Sequence, residues 1–457
     1  MGNVTPLKIQ NGREKQFQSG DVVDPAFLPT SGITAFPPNF INGLLLSNNA
    51  GDTTNSCDIA AGNCTDHTNA KNIVSAALSA KNSAKAWALG SSAGWMDESR
   101  TSTITATIAS PAVVSWTAHG LIAGNAVVFS TTGALPTGIT AGTIYYVISA
   151  GLATNSFEIS ATIGGSAVNT SGTQSGTHTA VALPGFGNNT YFPYAILRSD
   201  TGVVDNLLSL ATGLSATATL TIASPCVVTL ADHGFQVGTP VIFTTTGTLP
   251  TGIVAGTRYY VNAPVTTSTF NIAATINGTS INTTGSQSGT HTVSSTPLLP
   301  TSYDFYRRIG SLIRGGSNTI LNGTWYDSNR RFDLNVPINN LPNSAIANTS
   351  ANLQVLTLPV GIYVEALFNI SISASSTQIN VLVTSPQQTD TAASTTIRTI
   401  STYFSGGGGT TSASQDITKV TNRTGQIRWR ADSNAGPTTT IGITSFGYKD
   451  FRLNDGA

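Results

Sequence analysis

The feature that most constrains this chain is that a long stretch of it occurs twice. Thr107-Ile108-Ala109-Ser110-Pro111 returns as Thr221-Ile222-Ala223-Ser224-Pro225, and His119-Gly120-Leu121 returns as His233-Gly234-Phe235. Leu135-Pro136-Thr137-Gly138-Ile139 then returns as Leu249-Pro250-Thr251-Gly252-Ile253, and Tyr145-Tyr146-Val147 as Tyr259-Tyr260-Val261. The order is kept throughout, and a one-residue gap before Phe157 or Phe270 marks a loop. Within each copy, short β-prone runs (Ala126 to Ser130, Ile144 to Ile148, Ser156 to Ser160) alternate with Pro136, Gly138, Gly142 and Gly164-Gly165. That spacing predicts a small β-barrel or sandwich per copy, over residues 105–180 and 219–293.

Composition limits what the rest can be. The chain has 457 residues, of which 9% are charged, against roughly 25% in an ordinary soluble domain, so Ser, Thr, Asn and Gly must supply the polar surface. Lys+Arg 21 balances Asp+Glu 21, which leaves no basic field for nucleic acid and no polybasic patch for a membrane. So little charge gives weak protection against self-association, and oligomerisation is the expected state. The start, Met1-Gly2-Asn3-Val4-Thr5-Pro6, reads as neither a secretory leader nor a myristoylation signal. Three cysteines, Cys57, Cys64 and Cys226, are too few for a disulfide framework and fit synthesis in a reducing cytoplasm.

The segment between the copies, residues 181–218, is too short to fold alone and needs a sheet from elsewhere. We therefore expect an interrupted host domain, residues 40–104, 181–218 and 294–323, with each copy inserted at an exposed hairpin tip. One helix is predicted in it, over residues 70–88. Ile73, Ala77, Ala80, Ala84 and Trp87 form an i, i+4, i+7, i+11 stripe, Lys71, Lys81 and Lys85 lie off it, and Gly90 can end it. Residues 1–39, with Pro25, Pro29 and Pro37-Pro38, read as an extended N-terminal anchor.

After Trp325 the alternation becomes regular. Val364, Ala366, Phe368, Ile370 and Ile372 point one way while Glu365, Asn369, Ser371 and Ser373 point the other, and Ile379, Val381 and Val383 repeat the pattern. Residues 324–457 thus predict a jelly-roll-like antiparallel sandwich of roughly eight strands. Gly406-Gly407-Gly408-Gly409 lacks the Lys-Ser/Thr of a phosphate-binding loop and reads as a hairpin tip. The fold class expected is mainly β: small barrels or sandwiches, one helix-bearing α+β host, and a terminal sandwich.

These words resemble those of bacteriophage tail-fibre and virion structural proteins. The repeated modules are similar to small β domains of that family, with its His-Gly-Leu, Phe-Thr-Thr-Thr-Gly-x-Leu-Pro-x-Gly and Ser-Gly-Thr-His-Thr. The host resembles a podovirus-like tail-appendage domain through Asp58-Ile59-Ala60-Ala61-Gly62, Arg198-Ser199-Asp200-Thr201-Gly202-Val203-Val204-Asp205, Leu299-Pro300, Tyr303 and Arg307-Arg308-Ile309-Gly310-Ser311. The resemblance implies a homotrimeric tail fibre in the virion, held to other tail or adaptor proteins by its N-terminal region. Its terminal sandwich would be a distal knob that meets host surface glycan or protein. A capsid head fibre or decoration protein is the alternative, and a polysaccharide-degrading tailspike the third.

Residue chemistry points away from an enzyme, with no catalytic, cofactor or metal residues assigned. Four of the five His fall in equivalent pairs, His119 with His233 and His178 with His291, without a second ligand at metal spacing, and read as turn-fixing. Cys57, Cys64 and His67 are the one local cluster of ligand types, too few for a closed tetrahedral site. No Gly-x-Ser-x-Gly elbow occurs. The acids considered for glycoside hydrolysis, Asp97-Glu98, Asp200, Asp205 and Asp304, all lie near turns. Arg307-Arg308 reads as a source of intersubunit salt bridges. Arg428 and Arg430, flanking Trp429 on alternate faces, are the candidate receptor contact, with cation–π help.

Overall fold

The computed structural model describes residues 40–451 except 54, 87–93, 97–99, 184–188, 316–318, 327–329, 347–348, 376–377, 403–409 and 433–435. The N-terminal anchor, Trp87, Gly90, Asp97-Glu98 and Gly406 to Gly409 lie outside the described residues. Every regular element among those described is a strand. The expectation of a mainly β chain with small barrels and a terminal sandwich therefore holds.

Each repeat closes on itself. In the first, strands run Ala126–Thr131, Ile144–Val147, Ser156–Ser160, Val113–Ser115, Arg100–Ala106 and His178–Leu183 around a barrel, the last returning to the first. The second has the same connectivity, Pro240–Thr245, Arg258–Val265, Thr269–Ala273, Val227–Thr229, Ser215–Leu220 and His291–Ser294. Closure removes the sheet edges that short Ser/Thr-rich strands would otherwise expose. Each barrel has its own core, around Phe129, Val147 and Phe157 in barrel 1 and Phe243, Val261 and Phe270 in barrel 2.

Ahead of the C-terminal sandwich, strands outside the barrels form a sheet in the order Leu46–Asn48, Ser56–Ile59, Leu78–Ala86, Gly94–Met96, Val204–Ser209, Thr190–Leu197, Phe305–Arg308, with Leu312–Ile313 also paired to Thr190–Leu197, while Ile41–Gly43, Gly62–Thr65 and Asn72–Ser75 form a separate three-stranded sheet. The larger sheet draws on three chain segments, with one barrel in each gap. Buried cations tie the segments together. Lys81 Nζ is 3.1 Å from Asp205 Oδ1 with both side chains buried, and Arg314 donates to Ser83 Oγ at 2.5 Å and Asn55 Oδ1 at 2.9 Å. Burial holds the Lys81 pKa below the usual ammonium value, with Asp205 pulling it back up.

The helix expected over residues 70–88 is not there. Those described form the strands Asn72–Ser75 and Leu78–Ala86. A stripe made mostly of alanine buries little more than one methyl per turn, so it drives helix docking weakly. The Asn between favours extended backbone through a local bond, Ala84 N donating to Asn82 Oδ1 at 2.8 Å, and Ser83 Oγ adds a long-range one to the Asn55 carbonyl at 2.6 Å. Pairing with Ser56–Ile59 completes the sheet, and Lys81, expected off the apolar stripe, turns inward to Asp205.

The C-terminal sandwich packs a five-stranded sheet (Gly323–Tyr326, Arg331–Ile346, Gly436–Asp450, Val364–Ala374, Thr411–Val420) on a four-stranded one (Asn352–Val355, Gln426–Ala431, Asn380–Thr384, Ile400–Ser401). Val364, Ala366, Phe368, Ile370 and Ile372 all face the interior, as the alternation requires. Its core is continuous with that of the interrupted sheet: Tyr191, Phe192, Trp325, Phe332, Val364 and Tyr448 belong to one buried cluster. Arg308 donates to both Asp450 carboxylate oxygens at 2.7 and 2.9 Å across that junction.

Candidate functional site

The paired histidines bond turns and neighbouring strands within each barrel. His119 Nδ1 accepts from Leu121 N and His233 Nδ1 from Phe235 N, both at 2.9 Å, which closes the tight loop of each His-Gly pair. His178 contacts Thr131 Oγ1 at 2.8 Å and Gln174 Oε1 at 3.0 Å, and His291 contacts Thr245 Oγ1 at 2.8 Å and Gln287 Oε1 at 3.1 Å. Burial drives the His233 pKa down to about 4, since an imidazolium there would sit against Phe235 and Phe270.

Other groups that could carry chemistry are also held inside the chain. Among the described residues, no group of three or more His, Cys, Asp and Glu could hold a metal ion. Cys57, Cys64 and Cys226 are free thiols, all buried, and burial pushes Cys57 up to about 12. His67 stacks on Tyr306 with ring centroids 3.9 Å apart. Asp200 pairs with Arg198 at 2.7 Å, and Asp304 accepts from Ser199 N at 2.9 Å. Arg307 donates to the Thr65 carbonyl at 2.7 Å and Asn69 Oδ1 at 2.8 Å, while Arg308 serves Asp450. Both arginines expected to bridge subunits thus bond within the protomer.

The receptor candidates separate by face. Trp429 lies in the sandwich core at 7% exposure, so its ring is not offered to a ligand. Arg428 and Arg430 lie on the opposite face of that strand, which period-two alternation requires. Arg428 donates to Thr384 Oγ1 at 3.1 Å and the Gln388 carbonyl at 2.5 Å, and Arg430 pairs with Asp390 at 3.0 Å. On the neighbouring edge strand Leu353 is 54% and Val355 53% exposed, and the Cα register sets Leu353 opposite Arg428. This outer face offers two bare aliphatic side chains beside guanidinium groups that already have partners.

A cleft of about 600 Å³ opens where the root of barrel 2 meets the sandwich. Leu214, Ile362 and Val420 give it an apolar floor, and Tyr363, Lys419, Arg423 and Phe451 stand around them. Beside it Asp232 Oδ2 accepts from Tyr363 Oη and Oδ1 from Arg423 N, each at 3.0 Å, and the Arg423 guanidinium lies 4.2 Å over the Tyr363 ring. Burial raises the Asp232 pKa against these lowering bonds. The lining holds no His or Cys, and its carboxylate, Glu365, pairs with Lys449 at 3.1 Å. Nothing in the sequence around 360–365 and 418–423 distinguished these residues from ordinary strand ends, so this cleft was missed.

No family model matches the chain, and no curated protein matches it significantly.

Proposed function

We propose that this chain is a non-enzymatic structural component of a bacteriophage virion, a homotrimeric tail fibre or tail appendage that contributes to host-cell attachment. The observation that carries the reading is that the duplicated modules are sealed barrels whose paired histidines bond turns and strands of their own module, built into the gaps of one sheet. Such modules add rigid bulk and contact surface without adding chemistry. The N-terminal region supplies attachment to other tail or adaptor proteins, and the sandwich and its cleft face the host surface. Because that sandwich shares its core with the interrupted sheet, it acts as one rigid body with it rather than as a tethered knob.

Labelled antibody against the chain, imaged on whole particles, tests the location. Label on the tail is expected, and label on the capsid shell would move the assignment to a head fibre or decoration protein. Purified chain is expected to compete with particles for adsorption to host cells. Release of reducing sugar from host envelope polysaccharide would overturn the non-enzymatic reading.

A further inference from the structure

The edge of a sheet is where its backbone can still bond. The strand Thr411–Val420 ends the five-stranded sheet of the sandwich and pairs with Val364–Ala374 over its ten residues without a break in register. Among the described residues, the other edge strands of the open sheets run two to four residues. On the opposite side of the same sheet, where Arg331–Ile346 becomes an edge past Asn335, it carries Pro337, Pro342 and repeated breaks in register. Short strands, prolines and bulges keep an edge from pairing with another chain. Thr411–Val420 has none of the three.

Thr421 N donates to the Val364 carbonyl at 2.9 Å, which sets the phase of the ladder. By the alternation of antiparallel pairing, Ser412, Ser414, Asp416, Thr418 and Val420 then turn both N–H and C=O away from Val364–Ala374. No backbone bond reaches those groups from any other described residue. The row leads into the cleft of about 600 Å³, whose lining takes in Thr418, Lys419 and Val420 above the apolar Leu214 and Ile362. Most charges around it are already engaged. Glu365 is tied to Lys449, Asp450 to Arg308 and Asp390 to Arg430, Asp416 accepts from Asn369, and Asp232 accepts from Tyr363 and from Arg423 N. Lys419 makes no ion pair among the described residues, and Arg423 spends one guanidinium donor, on Tyr363 Oη at 3.1 Å. Cationic donors of both residues therefore stay open to a ligand. We propose that this edge and cleft together bind an extended segment of a partner protein, which adds a strand beside Thr411–Val420 and sets an aliphatic side chain on the cleft floor and a carboxylate against Lys419 and Arg423. Polypeptide backbone is what matches a row of outward N–H and C=O groups, which favours a protein over a glycan as the occupant. This rests on the attachment reading and names the kind of partner that the sandwich meets.

An array of end-blocked decapeptides, probed with the full chain as wild type, Thr418→Pro and Lys419→Glu, tests it. Proline at 418 removes an outward N–H and no bond to Val364–Ala374, so the strand is expected to persist with an unchanged circular dichroism spectrum. Lys419→Glu changes a side chain only and keeps the ladder whatever proline does. Wild type is expected to select peptides rich in β-branched residues that carry an acid near an aliphatic side chain. The best of them should bind Thr418→Pro about tenfold more weakly, for the lost hydrogen bond, and Lys419→Glu should lose the preference for acid. If no peptide is selected, or if the selected ones bind either folded variant as tightly as wild type, the proposal is overturned. Retention by host envelope polysaccharide with no peptide selected would also overturn it, leaving attachment intact with a glycan in the cleft. A chain that binds its peptide as expected yet fails to compete with particles for adsorption would support the site and overturn the attachment reading.

Discussion

Barrel 1 and barrel 2 share connectivity, cores and internal bonds, yet they are mounted by different faces. Thr170 Oγ1 donates to the Thr107 carbonyl and Thr283 Oγ1 to the Thr221 carbonyl, both at 2.7 Å. Tyr145 Oη accepts from Thr140 N and Tyr259 Oη from Val254 N, both at 2.9 Å. Barrel 1 leans its wall on the interrupted sheet through Ala126 and Tyr146, which join the sheet's buried cluster. Barrel 2 is instead held by its His-Gly turn, where Asp232, Gln236 and Gly234 meet the sandwich and the strand Thr190–Leu197. A Cβ on Gly234 would collide with the Arg423 carbonyl oxygen, so that contact requires glycine on steric grounds as well as through its φ of +63°. Interior residues thus define the module, and a few surface positions decide how it is used.

The largest expected effects probe how separate the two cores are. Phe129→Ala and Phe243→Ala each remove a fully buried ring and are expected to cost about 3–5 kcal/mol. In calorimetry Phe129→Ala should bring forward a barrel 1 transition and leave the main one in place. Phe243→Ala should pull the main transition down too, because the sandwich loses its docked partner. Equal behaviour of the two would break the comparison.

Acid sharpens it next. An unfolded histidine takes its proton near pH 6.5, whereas folded His233 does so only at about 4. The stability it contributes is therefore complete above about pH 6.5 and is lost as pH falls toward 4, by up to about 3 kcal/mol. Asp232 works the other way, since its raised pKa makes its contribution largest when protonated and lost as pH rises through that value. Urea melts between pH 7 and 4 should show a steeper acid loss in Asp232→Asn and a flatter one in His233→Asn. Smaller still, Gln236→Ile leaves the Thr190 backbone groups without partners and is expected to cost about 1–3 kcal/mol, while Ile122→Gln in dilute protein should stay within about 0.5 kcal/mol. Gly124→Ala and Gly238→Ala, at φ of +91° and +90°, should each cost about 1 kcal/mol. The second is expected to lose about 0.5 kcal/mol more through its contact with Leu210, on the same unfolding curves.

What the sequence made legible follows from how each signal arises. The duplication was visible because the turn residues of a sealed module, His119 and Gly120 or His233 and Gly234, tolerate little change. The sandwich strand Val364–Ala374 was visible because a strand buried on one face must alternate. The segment 70–86 misled because alanine is the strongest helix former, and what overrode that preference was a pairing with Ser56–Ile59 and a buried Asp205 far along the chain. Trp429 misled because period two places it opposite its arginines without saying which side is the core. The cleft and the mounting of barrel 2 depend on residues such as Asp232, Tyr363 and Arg423, far apart in sequence and each ordinary alone.

The most direct test of the account is a reciprocal exchange of the two positions that set barrel 2 apart, made in the full chain as Asp232→Ala with Gln236→Ile and as Ala118→Asp with Ile122→Gln. In urea unfolding of dilute protein, the first pair is expected to lose about 2–4 kcal/mol, the sum of several broken part-buried hydrogen bonds, and the second to change by less than about 1 kcal/mol. Equal losses, or a greater loss from the barrel 1 exchange, would contradict the claim that barrel 2 is held by its His-Gly turn.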